Sequence, residues 1–300
     1  SWRRYSYGNF TGIRIMGVFQ NNLLAGAAAA ASAGGAAFYP HQIEQSVRLP
    51  RSTTSAGGTN GGGLYRSSSA TITNDKKWAF SFWLKKGAAN LNLPQIIILT
   101  IISGGGRNIY LDDNDSNQYD KISSNSVWGS YDYTYPPPLR DTSGWYHYCF
   151  IFDTTQSAQA DRQKVYVNGT LLGVGDTTNN WSLNQGVWWN MSFSGTYYQG
   201  IGYNAYGHTE GNSYGVYGYL AEVIAVDGQD VAISDFGETK NGVWIPKQYT
   251  GSFGGNGYHL KFENASDLGN DSSGNNNDFT TVNLGADHQV LDSPTNGEGS

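Results

Sequence analysis

The chain has one cysteine, two methionines and few charges, and each scarcity closes off a class of protein. Among 300 residues, Lys, Arg, Asp and Glu make up only 14%, and 24 acidic against 18 basic side chains leave a net charge of −6. A phosphate backbone would meet overall repulsion rather than the basic stripe that its recognition requires, which argues against nucleic acid as a partner. One cysteine cannot build the disulfide framework of a small secreted module. Cys149 lies inside an aromatic run, which makes it a small buried hydrophobe rather than a reactive thiol. No stretch suits a membrane span: residues 23–37, LLAGAAAAASAGGAA, are too short and too rich in glycine, and no compact basic region precedes them as a signal peptide would need. Amphipathic helical periods longer than a few turns are missing too. What abounds is 40 Gly, 21 Tyr and 9 Trp, with alternating runs set between Gly, Asn and Ser clusters. That composition predicts an all-β chain.

The clearest strand pair is GWYHYCFIFDTTQSAQADRQKVYVNGTLLG at 144–173. Tyr146, Tyr148, Phe150 and Phe152 fall on one face of the first strand and Trp145, His147, Cys149 and Ile151 on the other, so both faces are largely apolar. In the return strand Val165 and Val167 alternate with Lys164, Tyr166 and Asn168, and Asn168-Gly169 supplies the positive φ angles of a tight turn. Trp78, Phe80, Phe82 and Leu84 alternate with Ala79, Ser81 and Trp83. The lysines bracketing that strand, Lys76, Lys77, Lys85 and Lys86, are expected to solvate its ends and discourage edge pairing. Residues 96–102 read as a buried core strand with Ile109-Tyr110-Leu111 returning beside it. Further strands are expected at 187–193, 197–203, 217–226 and 258–263, and Tyr135-Pro136-Pro137-Pro138 as a rigid connector.

These segments carry a family resemblance. FYPHQIEQSVRLPR at 38–51, WAFSFWLKKG at 78–87, GWYHYCFIFD at 144–153, VYVNGTLLG at 165–173 and GYLAEVIAVDGQDVAISDFGE at 218–238 follow one another as the core strands of laminin-G-like jelly rolls in the concanavalin A superfamily do. NGVWIPKQYTGSFGGNGYHLKF at 241–262, followed by LGNDSSGNNNDF at 268–279, is similar to a group of marine tailed-phage virion proteins. The resemblance implies an antiparallel jelly-roll β-sandwich over 38–295, an atypical Gly- and Ala-rich arm over 1–37, and a linker or further domain opening at 296–300. It also marks Met16 as a candidate natural start. The DSSGNNND signature commonly opens such a domain, and here it follows the other strands, which implies a segment closing the sandwich from the C-terminal side.

Related sandwiches include retaining glycosidases, whose paired carboxylates face a sugar about 5 Å apart. No E-x-D-x-E or E-x-E run exists here, no H-E-x-x-H or paired histidine spacing, and no G-x-S-x-G or P-loop. Catalysis is therefore not expected. Glu222, in YLAEVIAVDG, shares a strand face with Leu220, Ile224 and Val226, where an unpaired carboxylate is costly. It needs either a hydrogen-bond link to backbone or Tyr groups of a neighbouring strand, or a metal or ligand. Two oxygen-rich loops could hold calcium: Asp112-Asp113-Asn114-Asp115, and the better candidate with Asp271, Asn275, Asn277 and Asp278. Asx turns explain the same residues without a metal. For a glycan, Trp128, Tyr131, Tyr133 and Tyr135 in a Ser-, Asp- and Pro-rich loop, and Tyr203, Tyr206, Tyr214 and Tyr217 around GHTEGNSYG, are candidate contacts. Loop packing or subunit contact would use such aromatic side chains equally well.

Three functions fit, in this order. The first is a structural or adhesive virion protein, a fibre, tail or decoration component whose jelly roll is displayed while Met16, Phe19, Leu23 and Leu24 anchor the arm to other virion or filament subunits in a homo-oligomer. The second is a free extracellular lectin module for cell-surface glycans. The third and weakest is a glycan hydrolase. The arm separates the first two, since a soluble lectin has no need of it.

Overall fold

A computed structural model describes residues 38–50, 61–67, 70–87, 95–102, 105–112, 121–126, 129–135, 141–172, 181–187, 198–203 and 215–296. All the strands belong to one unit, residues 41–300, which is distinct from residues 1–40. Among the described residues they form two large antiparallel sheets. The first contains β1 (Ser46–Leu49), β3 (Lys77–Lys86), β8 (Tyr146–Asp153), β9 (Gln163–Val167), β10 (Thr170–Leu171), β12 (Gly218–Asp227), β15 (Tyr258–Leu260) and β17 (Gln289–Val290). Their order is β10-β9-β8-β3-β12-β1-β17, with β15 also pairing to β12. The second runs β16-β2-β11-β4-β5-β6-β7. It is built from β2 (Gly63–Arg66), β4 (Gln95–Ile102), β5 (Gly105–Asp112), β6 (Lys121–Ser126), β7 (Gly129–Tyr135), β11 (Tyr198–Ile201) and β16 (Thr280–Val282). β13 (Gly237–Lys240) and β14 (Val243–Pro246) make a separate hairpin.

Alternation explains how the sheets meet. Phe80, Phe82 and Leu84 of β3, Tyr148, Phe150 and Phe152 of β8, and Val165 of β9 enter one core with Leu64, Ile98, Ile109, Leu111 and Ile201 of the opposite sheet. Each fully buried side chain of this kind contributes roughly 1.5–3 kcal/mol. The alternate residues Ala79, Cys149, Ile224 and Val226 face outward and are covered by Phe236, Tyr249 and Phe253 from the chain after β12. Burial also pushes the Cys149 thiol pKa well up, so it stays protonated and inert. The Asn-Gly pairs at 168–169 and 241–242 turn as their chemistry dictates: Asn168 and Gly169 have φ of 46° and 76°, and Asn241 and Gly242 have 52° and 80°.

Two expectations change. β3 lies in the middle of its sheet between β8 and β12, so its terminal lysines guard no edge. Lys86 is buried and Lys77 is ion-paired to Asp230. Tyr131 and Tyr133 lie on β7, paired to β6, not in a loop; Tyr-x-Tyr-x-Tyr is itself a strand period. The C-terminal segment closes the sandwich on both sides, since β16 pairs with β2 in one sheet and β17 with β1 in the other.

Candidate functional site

Glu222 sits on a β-bulge. The register of β12 against β3 slips between Ala221 and Ile224, so Glu222 and Val223 together oppose Phe82. The extra residue breaks the expected face: Leu220, Val223 and Ala225 turn into the main core, whereas Ala221, Ile224 and Val226 turn outward. Glu222 takes a φ of 49°, rare for a residue with a side chain. Its partners are neither backbone nor Tyr. His41 Nε2 is hydrogen-bonded to Oε1 at 2.9 Å, and His259 Nε2 lies 3.0 Å from the same oxygen without the alignment of a hydrogen bond. Burial works against the charge, yet the two imidazoles outweigh it and hold the carboxyl at about 2. Among the described residues no group of three or more His, Cys, Asp or Glu side chains is placed to hold a metal ion, this trio included.

A Ser-His contact lies further along the same outer face. Ser81 Oγ is 2.8 Å from His147 Nε2, and Trp244 Nε1 donates to His147 Nδ1 at 3.1 Å. An indole nitrogen only donates, so Nδ1 is the unprotonated nitrogen and Nε2 carries the proton. His147 therefore cannot accept a proton from Ser81, and the pair is no nucleophile and base. Burial lowers the His147 pKa to about 3. The Trp244 indole lies over Gly169, where any Cβ would come within 2.3 Å of its ring.

The Asp271 loop is knitted into the fold. Asp271 Oδ1 accepts from the backbone N–H of His259 and Ser273 at 2.8 and 2.9 Å. Its Oδ2 accepts from the Asn277 N–H at 2.9 Å and the Ser273 hydroxyl at 2.8 Å. Four donors fill the acceptor sites of one carboxylate. Asn275 donates to the carbonyls of Gly254 and Gly257, Asn277 to those of Gly255 and Gly257, and Asp278 accepts from the Asp271 N–H. These are the contacts of an Asx-rich turn that staples 271–278 to 254–259. The other calcium candidate, beyond Asp112, lies outside the described residues. So do Trp128, Tyr206, Tyr214 and the arm residues Met16, Phe19, Leu23 and Leu24, as do the side chains of Tyr131 and Tyr133.

An open site lies elsewhere. β8 ends at Asp153 and β12 at Asp227, both against the start of β3, so the loops that follow them emerge at one end of the sheet. Between them is a cavity of about 240 Å³. Ile151, Tyr166 and Val231 give it an apolar floor; Asp153, Gln156, Asp161, Lys164, Gln229 and Asp230 ring it. Its walls are pinned. The Arg162 fork donates to the carbonyls of Gln156, Ser157 and Trp181 at 2.8–3.0 Å, and Lys77 ties Asp230 on one wall to Asp153, 3.7 Å away, on the other. Burial opposes the charge of Asp153, but hydrogen bonds from Thr155 and Gln156 and the Lys77 ammonium prevail and keep its pKa below the ordinary carboxylate value. None of these rim residues stood out in the sequence. The only signal was that two polar loops, DTTQSAQADRQ and DGQD, follow apolar strands.

Residues 58–212 match a laminin G family model described as the concanavalin A-like lectin/glucanases superfamily. No curated protein sequence matches the chain. Among solved structures, a heptameric SAP-like pentraxin of Limulus polyphemus is 14% identical with a TM-score of 0.41, over 64% of this chain and 80% of that one. A Bacteroides ovatus protein described as a candidate carbohydrate binder is 15% identical with a TM-score of 0.49, over 85% of this chain and 62% of that one. Tailspike protein 2 of the Escherichia coli O157:H7 bacteriophage CAB120 is 9% identical with a TM-score of 0.36, over 64% of this chain and 23% of that one. The family model spans more than half of the sequence and three of the motifs that carried the resemblance, and the sheets have the antiparallel pairing it implies: this chain belongs to the concanavalin A-like lectin/glucanase superfamily.

Proposed function

We propose that the chain is a non-enzymatic glycan-recognition and adhesion module, displayed on a virion surface as part of a fibre, tail or decoration. The observation that carries the glycan reading is the cavity beside β8 and β9, where an apolar floor is ringed by carboxylate, amide and ammonium groups. Sugars present C–H faces and hydroxyl edges, and a site for them needs both kinds of surface. The non-enzymatic part is supported by what became of the reactive side chains: Glu222 is engaged by two imidazoles, and Ser81 faces the protonated nitrogen of His147. The virion setting is supported by the phage-like motifs at 241–262 and 268–279 and by the low-complexity arm.

The test is a glycan array probed with the full chain, run beside a reducing-end assay on glucans, galactans and alginates. Binding without release of reducing ends is expected; release that vanishes in Glu222→Gln would make the chain a hydrolase. The setting is tested by purified particles, which should contain the chain at fixed stoichiometry. Deleting residues 1–37 should leave a folded sandwich that no longer joins the assembly, and normal assembly of that truncation would remove the anchoring role.

A further inference from the structure

We infer that the cavity between β8, β9 and the 229–232 segment takes a single uncharged pyranose, a neutral hexose or N-acetylhexosamine unit of a glycan, and rejects sialic and uronic acids. This rests on the glycan reading and deepens it. Size comes first: at about 240 Å³ the cavity lies below the range of roughly 300–1,000 Å³ that holds drug-sized ligands, which suits one ring rather than a longer segment.

Charge comes second. Three carboxylates, Asp153, Asp161 and Asp230, line the opening with one ammonium, Lys164, and a second, Lys77, pairs with two of them from outside the lining. Both ammoniums are committed, Lys77 to Asp230 and Asp153 and Lys164 to Asp161 at 3.0 Å. The nearby guanidinium of Arg162 is spent on three carbonyls. An anionic sugar would bring a fourth carboxylate to a place with no uncommitted cation.

Hydrogen-bond polarity comes third, and it selects the ligand. Gln156 Nε2 donates to Asp153 and Gln229 Nε2 to the Asp227 carbonyl, which fixes both amides with Oε1 as the unengaged atom. Asp161 and Asp230 each use Oδ1 on a lysine and keep Oδ2. The rim thus offers four acceptors, beside the second N–H of each amide, and a ligand that fills it must bring hydrogen-bond donors to those four. Hydroxyl groups do so; a carboxylate does not. Tyr166, Ile151 and Val231 beneath them give the ring an apolar seat, and the pinned walls spare the ordering cost that weakens binding.

The experiment titrates the full chain with polyacrylamide-linked glucose, galactose, mannose, N-acetylglucosamine, N-acetylneuraminic acid and glucuronic acid, followed by biolayer interferometry. At least one neutral sugar should bind, and both acidic sugars should bind at least tenfold more weakly. Gln156→Ala, at the surface, and Gln229→Ala, at a half-buried position, should each weaken the neutral sugar at least fivefold, and Tyr166→Ala at least tenfold, with circular dichroism confirming the fold. Preferential binding of an acidic sugar overturns the selectivity. Neutral binding that survives all three variants overturns the site while leaving the glycan reading intact. Binding to no sugar, with the same chain negative on the full array, overturns both.

Discussion

Two regions carry the same kinds of side chain and put them to opposite uses. Around Glu222 a carboxylate, two imidazoles and, further along the sheet, a serine, a third imidazole and an indole are buried or half-buried and paired with one another. Around Tyr166 carboxylates, amides and lysines stand at the mouth of an opening with acceptor atoms left over. The first region holds the 229–253 layer against the sheet. The second is positioned by such ties but is not consumed by them. Residue type alone does not separate the two; what separates them is whether neighbouring chain segments have already used the hydrogen-bonding capacity.

The contrast is broken most severely by acid. His147 is held neutral with a pKa near 3 against 6.5, and Glu222 is held ionised with a pKa near 2 against 4.5. Both groups bind fewer protons folded than unfolded within those windows, so stability rises with pH through each and is complete above pH 6.5. On acidification, urea midpoints should begin to fall below pH 6.5 and fall more steeply below 4.5. The loss by pH 3 is of the order of 5 kcal/mol from His147. His147→Asn should remove the upper slope and leave the lower; an unchanged profile would show that His147 is not what titrates.

Glu222→Ala comes next, with an expected loss of about 3–5 kcal/mol in chemical denaturation at pH 7, because it strands the buried imidazole of His259 and the half-buried one of His41. Asp271→Ala should cost about 3 kcal/mol by orphaning three backbone N–H groups. Since that carboxylate is already saturated, melting curves in calcium and in chelator should coincide, and a chelator-induced drop that Asp271→Ala abolishes would restore calcium to the loop. Smaller still is the backbone effect: Glu222→Gly should be more stable than Glu222→Ala by about 1 kcal/mol, since only glycine takes a φ of 49° without strain. At the groove, Asp161→Asn should shift stability by less than about 0.5 kcal/mol, as an exposed ion pair does. A large loss there would mean that the rim is structural and would erase the difference between the two regions.

The sequence alone determined the strands β3, β8 and β9 and their inner faces. Alternation in WAFSFWL and YHYCFIF leaves one register that buries both sets of aromatic side chains, and Asn168-Gly169 between two alternating strands makes the tight turn such a pair favours. It also determined that Cys149 would be inert, because its neighbours on the strand are largely apolar. What only the tertiary structure decided begins at Glu222. Period-two counting fails there because one bulged residue reverses the parity of everything after it, and a bulge leaves no mark in a sequence when the residue at positive φ is not glycine. His41 and His259 are 218 positions apart by number and meet on one oxygen because β1 and β15 both lie against β12. The groove is of the same kind. Its two walls are loops of ordinary polar composition, and they form a site because β8 and β12 finish against the same end of β3, a pairing set by long-range packing and not by any local preference of the residues that line it.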